Sequence, residues 1–162
     1  MTRMAISSVT ARFDEMVGHV LAETGFPANQ LELEITERHL MIEPEIALAA
    51  MRRLKERGVS IALDDFGTGY SSIGYLRTFP FDRLKLDRSI CTDITVNANV
   101  QQLVQGTIAI ARSMGLKVTA EGIEDEFQAK FLRLAGCEFL QGFFFNRPMP
   151  AAEIKPKALA GA

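Results

Sequence analysis

The chain has 162 residues, of which 48% are hydrophobic, and its formal net charge at pH 7 is −2. This size and composition predict one globular domain with a substantial core. The near-neutral charge, without a basic run, argues against general nucleic-acid binding. No apolar run is long enough to span a membrane, and the first residues do not resemble a signal peptide. Cys91 and Cys137 lack metal-ligand spacing, so we expect reduced thiols in a cytoplasmic protein.

Strand and helix patterns alternate along most of the chain. Strands are predicted at residues 31–36, 59–65, 82–87, 116–121 and 138–141. Helices are predicted at residues 13–24, 44–56, 73–76, 100–114 and 127–134. In the helix at 100–114, the apolar face includes Leu103. This alternation predicts an α/β fold with a parallel sheet built from right-handed crossovers.

The two ends of the chain lack such a pattern. Residues 1–12 are expected to form an irregular segment, and residues 155–162 a mobile tail rich in Ala, Lys and Pro. The domain is therefore expected to cover residues 13–154.

Each predicted strand has two different faces. One alternating set is apolar and is expected to pack under the helices. The opposite set contains Glu32, Glu34, Asp64, Lys85, Thr119 and Glu121. A barrel interior filled only for stability would be rich in Val, Ile and Leu. Charges at the same strand end therefore indicate a functional site, since an exposed edge could explain one such strand but hardly four.

Residues 59–72 are the most informative stretch. Their strand ends in the adjacent carboxylates Asp64 and Asp65, followed by Phe66 and the turn Gly67-Thr68-Gly69. Two neighbouring aspartates repel each other unless a cation or a proton lies between them. A divalent metal suits such a strand end before a glycine-rich loop, although a simple polar turn remains an alternative interpretation.

The charged residues favour metal-dependent hydrolysis. Glu34, Asp64 and Asp65 offer hard oxygen ligands suited to Mg²⁺ or Mn²⁺. A carboxylate that bridges two ions is the arrangement used for in-line attack on phosphodiesters. Lys85 could hold a metal-bound water or a phosphate oxygen, or it could be a buried ion-pair partner for one of the acids. Glu121 could accept a proton from that water or complete the shell of a second metal.

Five segments, in order, resemble the motifs of one family. They are Glu34-Ile35-Thr36-Glu37, residues 64–72, Leu84-Lys85-Leu86-Asp87, Ala120-Glu121-Gly122-Ile123-Glu124 and Gln141-Gly142. From about residue 13 to residue 150, the chain resembles the EAL domain, a family of bacterial signalling phosphodiesterases that linearise cyclic di-GMP and influence biofilms. The resemblance implies a TIM-like (β/α) barrel of parallel strands with alternating helices.

The resemblance also implies roles for single residues. Glu34, Asp64 and Asp65 would be the metal ligands, and Asp64 would bridge two Mg²⁺ or Mn²⁺ ions. Lys85 would lie near the attacking water, and Glu121 would lie beside the second metal or act as general base. The implied substrate-binding residues are Asp87, Gln141, Arg147 and Pro148. The implied loop at the metal site and dimer contact comprises Glu37, Gly67, Thr68, Gly69, Tyr70 and Ser71.

Two family features have no counterpart here. The family is named for a Glu-Ala-Leu segment on its first strand, and its second strand normally supplies an Asn ligand. Upstream of Phe13 there is neither, only Ser7, Ser8 and Thr10 as candidate polar residues. A complete barrel needs about 250 residues. We therefore expect an incomplete barrel that lacks its first one or two strands, together with an incomplete metal shell.

Two classes of function follow. The first is a metal-dependent phosphodiesterase domain that hydrolyses cyclic di-GMP to linear pGpG, present here as a fragment or a partner-completed form. The second is a catalytically inactive module that binds the dinucleotide or docks on a signalling protein. Because loss of the first strands would leave Leu31–Thr36 as an edge, we expect a homo-oligomer in which a second copy covers it, unless residues 1–12 do so.

Overall fold

A computed structural model describes residues 2–6, 12–68 and 73–153. The strands of this part are β1 (Thr2–Ile6), β2 (Leu31–Thr36), β3 (Ser60–Phe66), β4 (Arg83–Leu86), β5 (Lys117–Ala120) and β6 (Phe139–Leu140). Its helices are α1 (Phe13–Thr24), α2 (Glu37–Leu40), α3 (Pro44–Glu56), α4 (Ile73–Thr78), α5 (Arg88–Thr92), α6 (Ala98–Ser113) and α7 (Glu126–Leu134). Short 3₁₀ turns lie at Ala28–Gln30, Asp93–Thr95 and Ala151–Glu153.

The strands form one parallel sheet whose spatial order equals their chain order, from β1 to β6. Helices α1, α3, α4, α6 and α7 lie between successive strands along the chain, as parallel crossovers require. Within the described residues β1 and β6 are the two edges, so the sheet is open. The prediction of an incomplete (β/α) barrel is confirmed.

The N-terminal segment is the main difference from expectation. Residues 1–12 were expected to be irregular, but Thr2–Ile6 form β1, in parallel register with β2 from Thr2↔Leu31 to Ile6↔Ile35. Strand β2 is therefore paired on both sides and is not an edge. Either a second copy or the N-terminal segment was expected to cover β2, and in the structure residues of the N-terminal segment do so. Five residues held by one neighbouring strand carry too little periodicity to be recognised in isolation.

The apolar strand faces form the core beneath the helices, as predicted. The fully buried strand residues are Leu33, Ile35, Ile61, Leu63, Leu84, Leu86, Val118 and Ala120. Helix α6 contributes Val104, Ile108 and Ala111 to the same core, and each large side chain buried in this way contributes about 1.5–3 kcal/mol. Leu103, predicted to face inward, is instead exposed.

Polar contacts stabilise the first turns of α5 and α7 and the start of β4. Asp87 caps α5 by accepting a hydrogen bond from the Ser89 amide at 2.8 Å. Asp125 and Gln128 form a reciprocal capping box at the start of α7. At the opposite, amino end of the strands, Lys55 forms an ion pair with Asp82. No helix within the described residues has both the length and the apolar character needed to cross a membrane.

Candidate active site

The side chain of Lys85 is the centre of the charged cluster. It lies on the inner face of β4 and is 4% exposed. Its Nζ lies 2.7 Å from Asp64 Oδ1, 2.8 Å from Glu121 Oε1 and 3.0 Å from Glu34 Oε1. Parallel strands align their carboxyl ends, and these carboxylates come from β2, from β3 and from the residue after β5. The three contacts of Lys85 therefore confirm the prediction that these charges lie together.

The electrostatics of the cluster keep Lys85 charged. Loss of solvation lowers the pKa of Lys85, but hydrogen bonds to Asp64, Glu121 and Glu34 raise it, and the net result is a pKa above the ordinary value. The sequence left open an ion pair with one of the acids. The structure shows that Lys85 pairs with three of them, which places a permanent cation among the predicted metal ligands.

Asp65 differs from its neighbour Asp64 in both backbone and environment. Its φ is 56°, the left-handed region that non-glycine residues rarely adopt. Partial desolvation, together with the charges of Asp64 and Asp87, raises the pKa of Asp65. Its carbonyl oxygen accepts hydrogen bonds from Thr68, at 3.0 Å from Oγ1 and 3.4 Å from the amide. A strained residue beside a charge cluster is typical of a functional site.

The remaining loop residues are placed as follows. Glu37 is the first residue of α2 and is partly buried. Gly67 adopts φ 105° beside Ile90, and Thr68 is exposed at the turn. Burial tends to raise the pKa of Asp87, but hydrogen bonds from Ser89 and the start of α5 lower it overall. Gly69, Tyr70 and Ser71 lie outside the described residues.

The backbone of Gln141 forms hydrogen bonds with residues on both sides of Glu121. Its amide donates to the Ala120 carbonyl at 2.9 Å, and its carbonyl accepts from the Ile123 amide at 3.1 Å. The next residue must be glycine, because a Cβ at Gly142 would lie 2.1 Å from the Ile123 carbonyl oxygen. This close approach fixes the end of β6 against the segment that begins with Glu121.

A cleft of about 230 Å³ opens between these segments. It is lined by Arg88, Glu121, Gly122, Glu124, Gln141, Gly142 and Phe143. The guanidinium of Arg147 lies 4.7 Å from the ring centroid of Phe143, so Arg147 reaches the edge of this cleft, and the following Pro148 is exposed.

Sequence reasoning did not select Arg88 and Glu124 as site residues. They form an ion pair at 2.7 Å and both line the cleft. Glu124 ends the segment that begins with Ala120, and Arg88 follows Asp87. Their proximity to two quoted motifs could have pointed to them, but their pairing depends on the folding of two separate loops.

A second charged layer lies beneath the first. Arg83 donates to Glu32 at 2.8 Å and to Thr119 at 3.0 Å, and its guanidinium lies 4.2 Å from the Phe139 ring centroid. All three polar residues of this layer are buried. Glu32 and Thr119 were taken as part of the evidence for a site, but the structure places them in this closed layer with Arg83.

The donor chemistry suits a hard divalent cation, although the arrangement does not yet form a cation site. Glu34, Asp64 and Asp65 supply carboxylate oxygens, the ligands that Mg²⁺ and Mn²⁺ prefer. Within residues 2–6, 12–68 and 73–153, however, no three acidic, thiol or imidazole side chains are arranged to hold a metal ion. Glu34 and Asp64 contact the ammonium group of Lys85 instead.

A parallel (β/α) sheet with a charged cluster at the carboxyl ends of its strands is the arrangement of (β/α)-barrel domains, whose sites lie at that end. The family model for the EAL domain matches residues 4–148, and the chain therefore belongs to the EAL domain family. The resemblance inferred from the five segments is confirmed.

Three similar proteins illustrate this membership. The chain is 46% identical over 139 residues to the cyclic di-GMP phosphodiesterase NbdA of Pseudomonas aeruginosa. The aligned residues cover 86% of this chain and 18% of NbdA. The structure of PaMucR phosphodiesterase in complex with c-di-GMP has a TM-score of 0.86 at 36% identity, covering 93% of this chain and 62% of that one. The manganese/cy-diGMP complex of Klebsiella pneumoniae BlrP1 has a TM-score of 0.82 at 27% identity, covering 90% of this chain and 38% of that one. The chain thus spans less than a fifth of the length of NbdA.

Proposed function

We propose that this chain is a part of an EAL domain that binds cyclic di-GMP and, in its complete form, hydrolyses it to linear pGpG. The observation that carries this proposal is the contact of Lys85 with Glu34, Asp64 and Glu121 at the carboxyl edge of the sheet. Relatives named as cyclic di-GMP phosphodiesterases, and solved structures with the dinucleotide bound, support the choice of substrate.

The residues of the cluster have complementary tasks in this reaction. The ammonium of Lys85 donates hydrogen bonds to the attacking water or to a phosphate oxygen and holds it in line. Glu121 is the acceptor for the proton of that water. The water oxygen forms a bond to phosphorus, the bond from phosphorus to the 3′ oxygen breaks, and the departing oxygen takes up a proton. Gln141 and Asp87 flank the place where the dinucleotide would lie.

A divalent cation would be held by Glu34, Asp64 and Asp65, which are the hard donors nearest the cluster. When bound, it supplies charge neutralisation at the phosphodiester and a more acidic water. The manganese and calcium complexes of BlrP1 support a divalent ion, and we propose Mg²⁺ or Mn²⁺. Because Lys85 already compensates part of the negative charge, we expect weak metal binding by the isolated chain.

A second candidate function is a binding or regulatory module without turnover. The favouring observation is the contact of Glu34 and Asp64 with the ammonium group of Lys85, which engages two of the three expected metal ligands. Together with the lack of a metal-binding arrangement among the described residues, this favours dinucleotide binding over hydrolysis by the chain alone.

Calorimetric titration with cyclic di-GMP, followed by chromatography of the products with Mn²⁺ present, tests the proposal. We expect binding that Lys85→Met weakens at least about tenfold and negligible conversion to pGpG by the isolated chain. The matched control is Lys55→Met, which removes a lysine paired with Asp82 at the opposite end of the strands and should leave binding unchanged.

The outcomes separate the two candidates. Binding without conversion supports the module, whereas conversion that is lost in Lys85→Met and Glu121→Gln supports a competent enzyme. No binding of the dinucleotide, or equal losses from Lys55→Met and Lys85→Met, would contradict both.

A further inference from the structure

The side chain of Arg88 lies across the loop that carries Glu121. This loop, residues 121–124, lies between β5 and α7 and adopts neither helix nor strand. Arg88 crosses it at Gly122, because a Cβ at position 122 would lie only 2.3 Å from Arg88 Cγ and 2.5 Å from Arg88 Cβ. The guanidinium of Arg88 then pairs with Glu124 at 2.7 Å. One side chain therefore contacts the loop at two residues, and both are close to Glu121 in the chain.

Gly122 is the residue of this loop that least determines its own conformation. Its φ is 67°, in the left-handed region, and glycine populates positive and negative φ about as readily. The amides of Glu121 and Ile123, on either side of it, donate to backbone carbonyls at 3.0 and 3.1 Å. Beside Gly122 itself, the space is filled by the aliphatic stem of Arg88. This stem restricts the backbone at the position where glycine leaves it free.

We propose that Arg88 is a positioning residue that keeps Glu121 in contact with Lys85. The Glu121 carboxylate lies 2.8 Å from Lys85 Nζ and is 22% exposed, so water competes for it. A change of φ at Gly122 would move this carboxylate away from the ammonium group, and the stem of Arg88, held at its far end by Glu124, opposes that change. The inference rests on the proposed function for the task of Glu121 as proton acceptor, and it adds the residue that holds Glu121 in place.

A second arginine is arranged in the same way near the amino end of β5 and provides a matched control. Arg112 pairs with Glu138 at 3.6 Å. A Cβ at Gly136, whose φ is 95°, would lie 2.3 Å from Arg112 Nη1. Glu138 accepts a hydrogen bond from the Val118 amide at 2.8 Å, so this pair lies at the end of β5 away from the loop of Glu121. Exposed ion pairs of this kind contribute little to global stability.

Exchange of the Lys85 ammonium protons with water, measured by nuclear magnetic resonance, tests the proposal. The signal is identified by its absence in Lys85→Met. Arg88→Met should accelerate the exchange by about threefold, a change within the range of one exposed ion pair. Arg88→Lys, which keeps the stem and the charge, should retain most of the protection. Because Arg88 is exposed, thermal unfolding should be unchanged. The control Arg112→Met should alter neither measurement.

Double variants and glycine substitutions test whether Arg88 acts through Glu121. In a Glu121→Gln background, Arg88→Met should cause no further acceleration. Gly122→Ala should accelerate exchange, since its methyl group would displace the stem of Arg88, whereas Gly136→Ala, with an equivalent clash against Arg112, should not. Unchanged exchange in Arg88→Met, an equal effect of Arg112→Met, or a further acceleration in the Glu121→Gln background would overturn the proposal. The measurements use neither metal nor dinucleotide, so their outcome is independent of whether the chain binds cyclic di-GMP.

Discussion

Two charged layers lie one above the other inside the same sheet, and they differ in access to water. The lower layer joins Glu32 and Arg83, whose side chains are 1% and 6% exposed. The upper layer joins Lys85 to Glu34, Asp64 and Glu121, and these acids are 11%, 16% and 22% exposed. The residues of one layer lie two positions along the same strands from those of the other. A shift of two residues along these strands separates a buried ion pair from a cluster that water reaches.

The two layers also differ in their balance of positive and negative charge. In the lower layer one guanidinium meets one carboxylate, and Thr119 and the Phe139 ring take up its remaining surface. In the upper layer one ammonium meets three carboxylates, which leaves an excess of negative charge that is open to solvent. A closed, balanced pair carries no excess charge, whereas an open cluster with excess negative charge attracts a cation.

Removing the cation of the lower layer should have the largest effect on stability. Arg83→Met deprives Glu32 of its guanidinium in a buried setting, and we expect the free energy of unfolding to fall by about 3–5 kcal/mol. Urea denaturation measures this change. The double variant Glu32→Leu with Arg83→Met should recover most of the loss, because no buried carboxylate then remains. A loss below about 1 kcal/mol in the single variant would show that the pair is not the stabilising element.

Removing the cation of the upper layer should have a smaller effect, and one that a metal can reverse. Lys85→Met leaves three carboxylates that water partly reaches, so we expect a loss of about 1–3 kcal/mol. Added Mn²⁺ should raise the melting temperature of Lys85→Met more than that of the wild type. Asp64→Ala in the same background should abolish this gain, and equal Mn²⁺ effects in both proteins would speak against competition between Lys85 and the ion.

The smallest expected effect concerns the pH dependence of stability at Asp65. Because its pKa is raised in the folded state, its negative charge opposes folding, and this penalty is relieved as the pH falls through that pKa. Asp65→Asn should therefore gain about 0.5 kcal/mol or less at pH 7, and the gain should vanish in acid. Asp93→Asn, at an exposed aspartate elsewhere, is the control. A gain that persists in acid would assign the effect to backbone conformation instead.

Much of this comparison could be predicted from period-two patterns. The strand at Leu31–Thr36 and the helices Phe13–Thr24 and Pro44–Glu56 have the predicted bounds. Alternation assigned Glu34, Asp64, Lys85 and Glu121 to one face, and parallel strands align their ends. Strand periodicity therefore predicted the composition of the upper layer without any knowledge of its distances.

Three features lay beyond that reasoning. Strand β1 depends on pairing with β2, and its own five residues show no distinctive pattern. The separation into two layers depends on Arg83, whose partners Glu32 and Thr119 lie on other strands. Leu103 fits the apolar spacing of α6 but falls at the margin of its buried face, where helical periodicity cannot distinguish inside from outside.

The identity of spatial and chain order in the sheet has a consequence for synthesis on the ribosome. Each of the strands β2 to β6 pairs with the strand that precedes it, so its first partner has already been synthesised when it emerges. Translation delivers the N-terminal part first, at about 5–20 residues per second, and the nascent sheet can grow by one βα unit at a time. At every stage the newest strand is the growing edge, and the two charged layers are completed only when β5 and Glu121 have been added.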